Sequence, residues 1–280
     1  MKIAICFFGK IGYSHGRESY GNKLDINITY NHLKKHVLEK YDDADIFIHS
    51  WDIEDEEKLI SVFKPISIKC EKQKSFGIKI DDLSIDEKND EGNIGKNFRA
   101  VSQTYSLISS FDLAIENEEK NNFKYDYIVG LRLDTLFLKD LILEYLKKDS
   151  INLQRKVSIK NNPICWHNIT QGYIHSSFII ILNSNLLRNT EYKQIYNFDY
   201  NNKNNIYHSR KIINTFSMLN PILLNNKIIE GIPPNTTYIT RRIYYEYEQV
   251  FENNKIKKIS LLSKKQLELN WEKYNNYYKL

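Results

Sequence analysis

The sequence lacks the features that mark several classes of protein. Its three cysteines, Cys6, Cys70 and Cys165, are widely spaced and form no CxxC pair, which argues against a disulfide framework and a thiolate zinc site. No stretch approaches the ~20 apolar residues of a membrane span. The apolar N-terminus "MKIAICFF" is too short for a signal peptide. We therefore expect a cytoplasmic protein.

A strong excess of one charge is also missing. The chain has 40 basic and 35 acidic residues among 280, a net charge of +5, and its densest basic run, Lys255–Lys258, is short. A nucleic-acid binder concentrates its basic residues on one face, so this distribution favours an ordinary solvated surface and no nucleic-acid partner. The small excess suits an anionic small-molecule substrate, or transient contact with an anionic membrane surface at the inner face of the membrane.

Several catalytic and nucleotide-binding signatures are absent too. The glycines that follow the first strand match neither the P-loop pattern nor G-x-G-x-x-G. There is no H-E-x-x-H sequence and no Ser-His-Asp order. With 41% hydrophobic and 27% charged residues, the composition is that of a globular protein. The spacing of its apolar residues is the main evidence for its fold.

That periodicity predicts an α/β domain. Apolar runs at Ile3–Phe8 and Ile46–Ile48 indicate strands, and helical spacing over 27–41 lies between them, an order that favours parallel pairing. A long amphipathic helix, with apolar residues from Phe98 to Ile115, leads into the strand "YDYIVGLRLDTLF" at Tyr125–Phe137. The alternation of predicted strands and helices becomes irregular after about residue 140. We predict a mostly parallel sheet flanked by helices, with a mixed α/β second half.

Polar segments follow three of these predicted strands. Parallel sheets bind ligands outside the carboxyl ends of their strands, so the three segments are expected to converge. The candidates are Gly9, Lys10 and Arg17 after the first strand, His49, Trp51 and Asp52 after the second, and Arg132 and Asp134 in the last.

The stretch "GLRLD" interrupts an apolar strand with two charges. Because side chains alternate along a strand, Gly130, Arg132 and Asp134 share one face and leave Val129 and Leu131 to the core. A carboxylate there suits Mg²⁺ or Mn²⁺ on phosphate oxygens, and the arginine fork suits a diphosphate. The alternative is an Arg–Asp ion pair that closes the strand end.

Further candidates lie elsewhere in the chain. Asn97, Arg99 and Gln103 are polar positions of the long helix that could face a nucleotide, with solvent exposure as the alternative. Trp166 beside His167 could stack on a sugar ring, and His175 lies in the apolar segment "GYIHSSFIII"; core positions are the alternative for each.

Four segments, in this order, resemble a family of glycosyltransferases found in capsule, O-antigen and lipopolysaccharide gene clusters. They are "IAICFFGK", "DADIFIHSWD", "NFRAVSQTYSLISSFDLAIE" and "YDYIVGLRLDTLF", and they span residues 1 to about 141. The resemblance implies a GT-A-like fold, a nucleotide-sugar donor and a glycan or glycolipid acceptor. It implies that the R-x-D stretch takes the place of a D-x-D metal motif, with Asp134 as the ligand of a divalent cation.

We also predict a division of the chain. In this prediction residues 1–245 form the GT-A-like domain, with a nucleotide-sugar-binding half at 1–141 and an acceptor-side half at 142–245, and residues 246–280 form a helical extension. The nucleotide is held by the loop after the first strand and the polar positions of the long helix. Several relatives carry an acidic residue in the strand that follows, where this chain has "GYIHSSF".

We therefore predict a glycosyltransferase. Arg132, Asp134 and the loop cations bind the donor, His49, Trp51, Trp166 and His167 bind substrate, and a base deprotonates the acceptor if the enzyme inverts. The candidates for this base are Asp52, His167, His175 and Glu230. The alternatives are a sugar nucleotidyl- or phosphotransferase, and a catalytically silent nucleotide- or glycan-binding module.

Overall fold

The protein is described by a computed structural model, which covers most of the first 146 residues and shorter segments after them. The described residues are 1–12, 23–76, 92–137, 140–146, 151–153, 179–188, 193, 196, 229–231, 240–242, 247–252 and 255–261.

Their strands are β1 Ile3–Gly9, β2 Asp45–Ser50, β3 Ser67–Cys70, β4 Tyr127–Arg132, β5 Thr135–Phe137, β6 Ile151–Leu153, β7 Ile179–Leu182, β8 Ile229–Gly231, β9 Thr240–Arg242, β10 Tyr247–Glu252 and β11 Lys255–Leu261.

Seven of the strands form one mixed sheet in the order β3-β2-β1-β4-β7-β6-β8. Four of its six pairings are parallel, including the predicted pairing of β1 with β2, and β7 is antiparallel to both of its neighbours. The predicted α/β class with a mostly parallel sheet is therefore confirmed. Since β6, β7 and β8 come from the second half of the chain, both halves contribute to the same sheet.

The helices are α1 Ile26–Leu33, α2 Glu56–Phe63, α3 Gly92–Asn121 and α4 Ser184–Arg188, with 3-10 turns at Ile53–Asp55 and Leu143–Tyr145. Asp25 caps α1 by accepting a hydrogen bond from the backbone N–H of Asn27. The helix predicted over 27–41 is α-helical only as far as Leu33, and it continues as a π-helical turn, Lys34–Leu38. Among the helices of the described segments, no apolar stretch reaches the length needed to span a bilayer.

The core has two layers, one on each face of the sheet. Along β1, Ile3, Ile5 and Phe7 pack with α1 and α2, whereas Ala4, Cys6 and Phe8 pack with α3. The same alternation continues in β4 and β7. Strict alternation of two apolar faces explains why β1 is a continuous apolar run in the sequence.

Gly130, in the middle of β4, allows α3 to lie close to the sheet. A Cβ atom at this position would lie 2.6 Å from Leu107 Cδ1, 2.7 Å from Ile180 Cγ2 and 3.0 Å from Phe111 Cε1. Any side chain here would push the helix or β7 outward, at a cost of about 1–3 kcal/mol for overpacking.

The C-terminal extension differs from the prediction over its described part. Residues 247–252 and 255–261 form an antiparallel pair, β10 and β11, in which Tyr247 lies opposite Leu261, and the prediction of a helix is wrong for these residues. The segment is rich in β-branched and aromatic residues and is divided by Asn253-Asn254, a dipeptide that favours a turn. Residues 262–280 lie outside the described segments.

Candidate functional site

The carboxyl ends of β1, β2 and β4 bring the predicted polar segments side by side. Phe8 lies opposite His49 on one side and Arg132 on the other, and Gly9 lies opposite Ser50. The backbone N–H groups of Trp51 and Leu133 continue this alignment by bonding to the carbonyls of Gly9 and Phe8. The predicted convergence of these segments at one sheet edge is confirmed.

Residues 9–12, here called the β1 turn, leave the sheet at this edge. Gly9 and Gly12 have φ values of +96° and +89°, a left-handed conformation that glycine adopts without strain. Gly12 faces Asp134, because a Cβ atom on the glycine would lie 3.6 Å from the Cβ of that residue. The turn therefore spans the edge from the end of β1 to the end of the β4 segment.

Arg132 and Asp134 bind each other. The Nε and Nη2 atoms of Arg132 donate to the two oxygens of Asp134 at 2.7 and 2.8 Å. The side chain of Asp134 is 1% exposed and that of Arg132 is 18% exposed, so the carboxylate is covered while the guanidinium reaches the surface of the edge. Val129, Leu131 and Leu133 face the core as the alternation predicts.

Asp52 holds the β1 turn from the other side. Its Oδ2 accepts a hydrogen bond of 2.6 Å from the backbone N–H of Ile11. Burial raises the pKa of Asp52, against the opposing effects of that bond and of the charges of Lys23 and Lys10. A buried carboxylate with a raised pKa can accept a proton, although here the same oxygen also holds the backbone.

The described carboxylates provide a poor fit for a divalent cation. Both oxygens of Asp134 face a guanidinium, and a second cation beside them is electrostatically unfavourable. Asp52, Glu54 and Asp55 place one ligand atom each within 4.8 Å of one another, but Lys23 is ion-paired with both Glu54 and Asp55. The metal role predicted for Asp134 requires Arg132 to change its partner, and it stays a prediction.

His49 lies in the interior of the site and uses both ring nitrogens. Nδ1 lies 2.7 Å from Ser106 Oγ, and Nε2 lies 3.0 Å from Glu71 Oε1. Ser106 Oγ also accepts the backbone N–H of Gly9 at 2.8 Å. We call this series of bonds, from Gly9 through Ser106 and His49 to Glu71, the Gly9–Glu71 network.

The imidazole of this network is neutral at physiological pH. Burial lowers the pKa of His49 to about 4 and outweighs the opposing hydrogen bond with Glu71. The contact with Glu71 is therefore a hydrogen bond to a neutral ring. Since the side chain is fully buried, the substrate contact predicted for His49 requires a rearrangement, and the geometry suits a supporting role.

Trp51 belongs to an aromatic cluster beside the network. Its ring stacks on Tyr105 at 5.5 Å between centroids and meets the edges of His49 and Phe76. Lys74 lies over the ring of Tyr105 at 4.2 Å. The indole N–H is buried and has no hydrogen-bond partner among the described residues, so an acceptor from a ligand would remove a cost of about 1–3 kcal/mol.

The polar positions predicted on the long helix lie beyond this edge. Ser106 bonds to Gly9 at this edge, and Gln103 and Asn97 come earlier in α3. Because a helix rises 1.5 Å per residue, Gln103 lies about 4 Å and Asn97 about 13 Å from Ser106 along the helix axis, in the direction away from this edge of the sheet. Gln103 is half-buried. Asn97 and Arg99 lie in the same helix, six and four residues before Gln103.

The remaining candidates lie at other positions in the sheet or outside the described residues. Lys10 is exposed at the β1 turn, and Glu230 lies in β8, at the far edge of the sheet from β3. Four others lie outside the described residues: Arg17, Trp166, His167 and His175.

Sequence reasoning missed three contributors to the site. Ser106 and Glu71 bind His49 from 57 and 22 residues away, and Lys23 ion-pairs with the carboxylates after β2. A serine in the middle of an apolar helix was a usable signal for Ser106, whereas the others carry no distinguishing local pattern.

No protein-family model matches this chain, and no curated protein is significantly similar to it.

Proposed function

We propose that the protein is a glycosyltransferase that moves a sugar from a nucleotide-sugar donor to a hydroxyl group of a growing surface glycan or related acceptor. The observation that carries the proposal is the strand order β3-β2-β1-β4. From β1 the chain adds β2 and β3 on one side of β1 and then places β4 on the other side, so the order of the strands reverses between β1 and β4. Open α/β sheets bind ligands outside the carboxyl ends of their strands at such a reversal. The β1 turn and Arg132 occupy that position, and in this proposal the sheet is GT-A-like.

The charges at the edge support a diphosphate ligand. Arg132 reaches the surface, Asp134 fixes the plane of its guanidinium, and Lys10 is exposed on the neighbouring turn. A guanidinium presents N–H donors in a geometry that matches phosphate oxygens. In the proposed reaction, Arg132 and Lys10 stabilise the negative charge that develops on the departing nucleoside diphosphate.

The acceptor hydroxyl must lose a proton as its oxygen forms a bond to the anomeric carbon and the bond from that carbon to the diphosphate breaks. Asp52 is the described candidate for an inverting reaction, because burial raises its pKa and it lies at the same edge. Its bond to Ile11 N–H occupies Oδ2, so proton transfer would use Oδ1.

A thermal-shift screen of nucleotide sugars and nucleoside diphosphates, with Mn²⁺ or with EDTA, tests the proposal. A ligand that binds only the folded state raises the unfolding midpoint by mass action. We expect at least one nucleotide diphosphate to raise it, and the proposal fails if none does under either condition. Equal shifts with Mn²⁺ and with EDTA would remove the divalent cation from the proposal and leave the rest standing.

Product mass then distinguishes the reactions. A glycosyltransferase adds the mass of one sugar residue to the acceptor. A phosphotransferase adds the mass of a phosphoryl group, and a nucleotidyltransferase adds that of a nucleotidyl group.

A catalytically silent nucleotide-binding module is the second candidate. The observation that favours it is that the two carboxylates given a role in the proposed reaction already serve the fold, Asp134 by holding Arg132 and Asp52 by holding Ile11. For such a module, Asp134→Asn would leave every turnover assay at the same background while nucleotide binding persists.

A further inference from the structure

Ser106, His49 and Glu71 have the composition of a Ser–His–acid triad, but their placement excludes nucleophilic catalysis in this state. Ser106 is fully buried, in the middle of α3, and its oxygen already accepts the N–H of Gly9. A catalytic nucleophile must reach substrate with its lone pair available. The network must therefore serve something other than covalent chemistry.

The direction of the bonds follows from Glu71. Glu71 lies 3.7 Å from Lys69 Nζ and 3.5 Å from Lys74 Nζ, two positive charges that favour its ionised form. An ionised carboxylate only accepts hydrogen bonds, so the Nε2 atom of His49 carries the proton. Nδ1 is then an acceptor, the hydroxyl of Ser106 donates to it, and the oxygen of Ser106 accepts from Gly9.

The network ends on the residue where the β1 turn begins. The carbonyl of Gly9 accepts from Trp51 N–H and from Ser50 Oγ, each at 3.2 Å, and its N–H is held by Ser106. Both polar groups of this left-handed residue are therefore fixed, one by β2 and one by α3. A serine inside a helix usually bonds to its own helix, as Ser110 does with the carbonyl of Leu107.

We propose that His49 and Ser106 are positioning residues for the donor site: the Nε2-protonated imidazole, held by Glu71, orients the hydroxyl of Ser106 so that it fixes Gly9 and thereby the β1 turn. This inference rests on the proposed function for its ligand, a nucleoside diphosphate. Neither side chain touches the ligand.

Substitutions at His49 separate positioning from packing. Asparagine places an amide oxygen near the position of Nδ1 and can still accept from Ser106, whereas phenylalanine fills the volume but accepts nothing. Positioning predicts that His49→Phe weakens binding of the nucleoside diphosphate about three- to tenfold, the scale of one hydrogen bond, and that His49→Asn weakens it less. A packing role predicts the reverse order, since phenylalanine is the better core residue.

Serine substitutions on α3 give a matched control. Ser106→Ala and Ser110→Ala remove the same hydroxyl from equally buried positions one turn apart. We expect Ser106→Ala to weaken nucleotide binding and to speed hydrogen exchange of the Gly9 amide about three- to tenfold, with Ser110→Ala close to wild type in both. Equal effects of the two variants would overturn the proposal.

A third measurement uses the ligand-free wild-type chain and needs neither a variant nor a nucleotide. Nitrogen-15 spectra of labelled histidine identify which ring nitrogen of His49 is protonated. We expect Nε2. Protonation at Nδ1, with the hydroxyl of Ser106 turned to the carbonyl of His49 that lies 3.3 Å away, would contradict the network. If the wild type binds no nucleotide, the proposed function fails, while the tautomer and the exchange of Gly9 still decide whether the network sets the turn.

Discussion

The ends of β2 and β4 flank the same turn of β1, yet they hold their polar side chains in different ways. After β2, buried side chains accept hydrogen bonds from the backbone of the turn: Ser106, which is bonded to His49, accepts the N–H of Gly9, and Asp52 accepts the N–H of Ile11. After β4, two charged side chains bind each other, and one of them reaches the surface. The polar side chains after β2 therefore hold the backbone of the turn, whereas the pair after β4 brings a positive charge to the surface of the same edge.

The largest expected effect on stability comes from removing one partner of the Arg132–Asp134 ion pair after β4. Arg132→Met removes the guanidinium that holds both oxygens of Asp134 and leaves a buried carboxylate, which we expect to lower the free energy of unfolding by about 4 kcal/mol. Urea unfolding measures this change. In the double variant with Asp134→Asn, the loss should be smaller than the sum of the two single losses.

The exposed pair Lys40–Glu144 is the control for that experiment, with side chains 43% and 52% exposed. Lys40→Met should change the free energy of unfolding by less than about 1 kcal/mol, as is usual for surface ion pairs. Equal losses at the two pairs would show that Arg132 and Asp134 are not coupled in the folded protein.

The next effect tests the buried, neutral His49 at the end of β2 by lowering the pH. Burial lowers the pKa of His49 from 6.5 to about 4, so between these values the unfolded chain binds a proton that the folded chain does not. Stability therefore rises with pH across this window: the contribution is complete above pH 6.5 and is lost as the pH falls to 4, a total on the order of 3 kcal/mol.

His49→Asn removes this titration and serves as the reference, because the carboxylates take up protons in both proteins as the pH is lowered. The difference between wild type and variant in free energy of unfolding should shrink as the pH is lowered from 7 to 4. The pKa of Glu71 is itself lowered, since its bond to His49 and the charges of Lys69 and Lys74 outweigh partial burial, and its contribution is lost at lower pH. Parallel profiles would mean that His49 is not held neutral.

The smallest effect on stability concerns Asp52. Asp52→Asn keeps an oxygen for Ile11 N–H but loses the charge and the ability to take up a proton, so we expect a loss of about 1 kcal/mol in the free energy of unfolding and a loss of most of the proposed transferase activity. Glu54→Gln, at a side chain that is 63% exposed, is the control and should remain near wild type. Unchanged activity in Asp52→Asn would exclude Asp52 as the base and leave it only the role of holding the β1 turn.

Local patterns were sufficient to predict the frame of the site. Alternation along β1 and β4 and the amphipathic stretch of α3 fix which faces are apolar, and the strand-end rule brought Gly9, Asp52 and Arg132 to one edge. These features depend on neighbours in sequence or on the general geometry of parallel sheets.

The partners of the polar groups could not be predicted in the same way. That Arg132 binds Asp134 was one of two alternatives, because spacing places both on one face without deciding what each one binds. His49 meets Ser106 and Glu71 only after α3 and β3 have packed against β2, so no local pattern links them. The hairpin of β10 and β11 was missed because a short amphipathic segment fits either period until its pairing is known.

The missing side chain at Gly130 couples the hydrophobic core to the β1 turn. Leu107 and Phe111, which lie over this glycine, belong to the same helix as Ser106, and Ser106 lies 2.8 Å from the amide of Gly9. A methyl group at position 130 would push α3 or β7 outward, and a shift of α3 would carry Ser106 away from the turn. The separation between α3 and the sheet therefore also affects the hydrogen bond that holds Gly9.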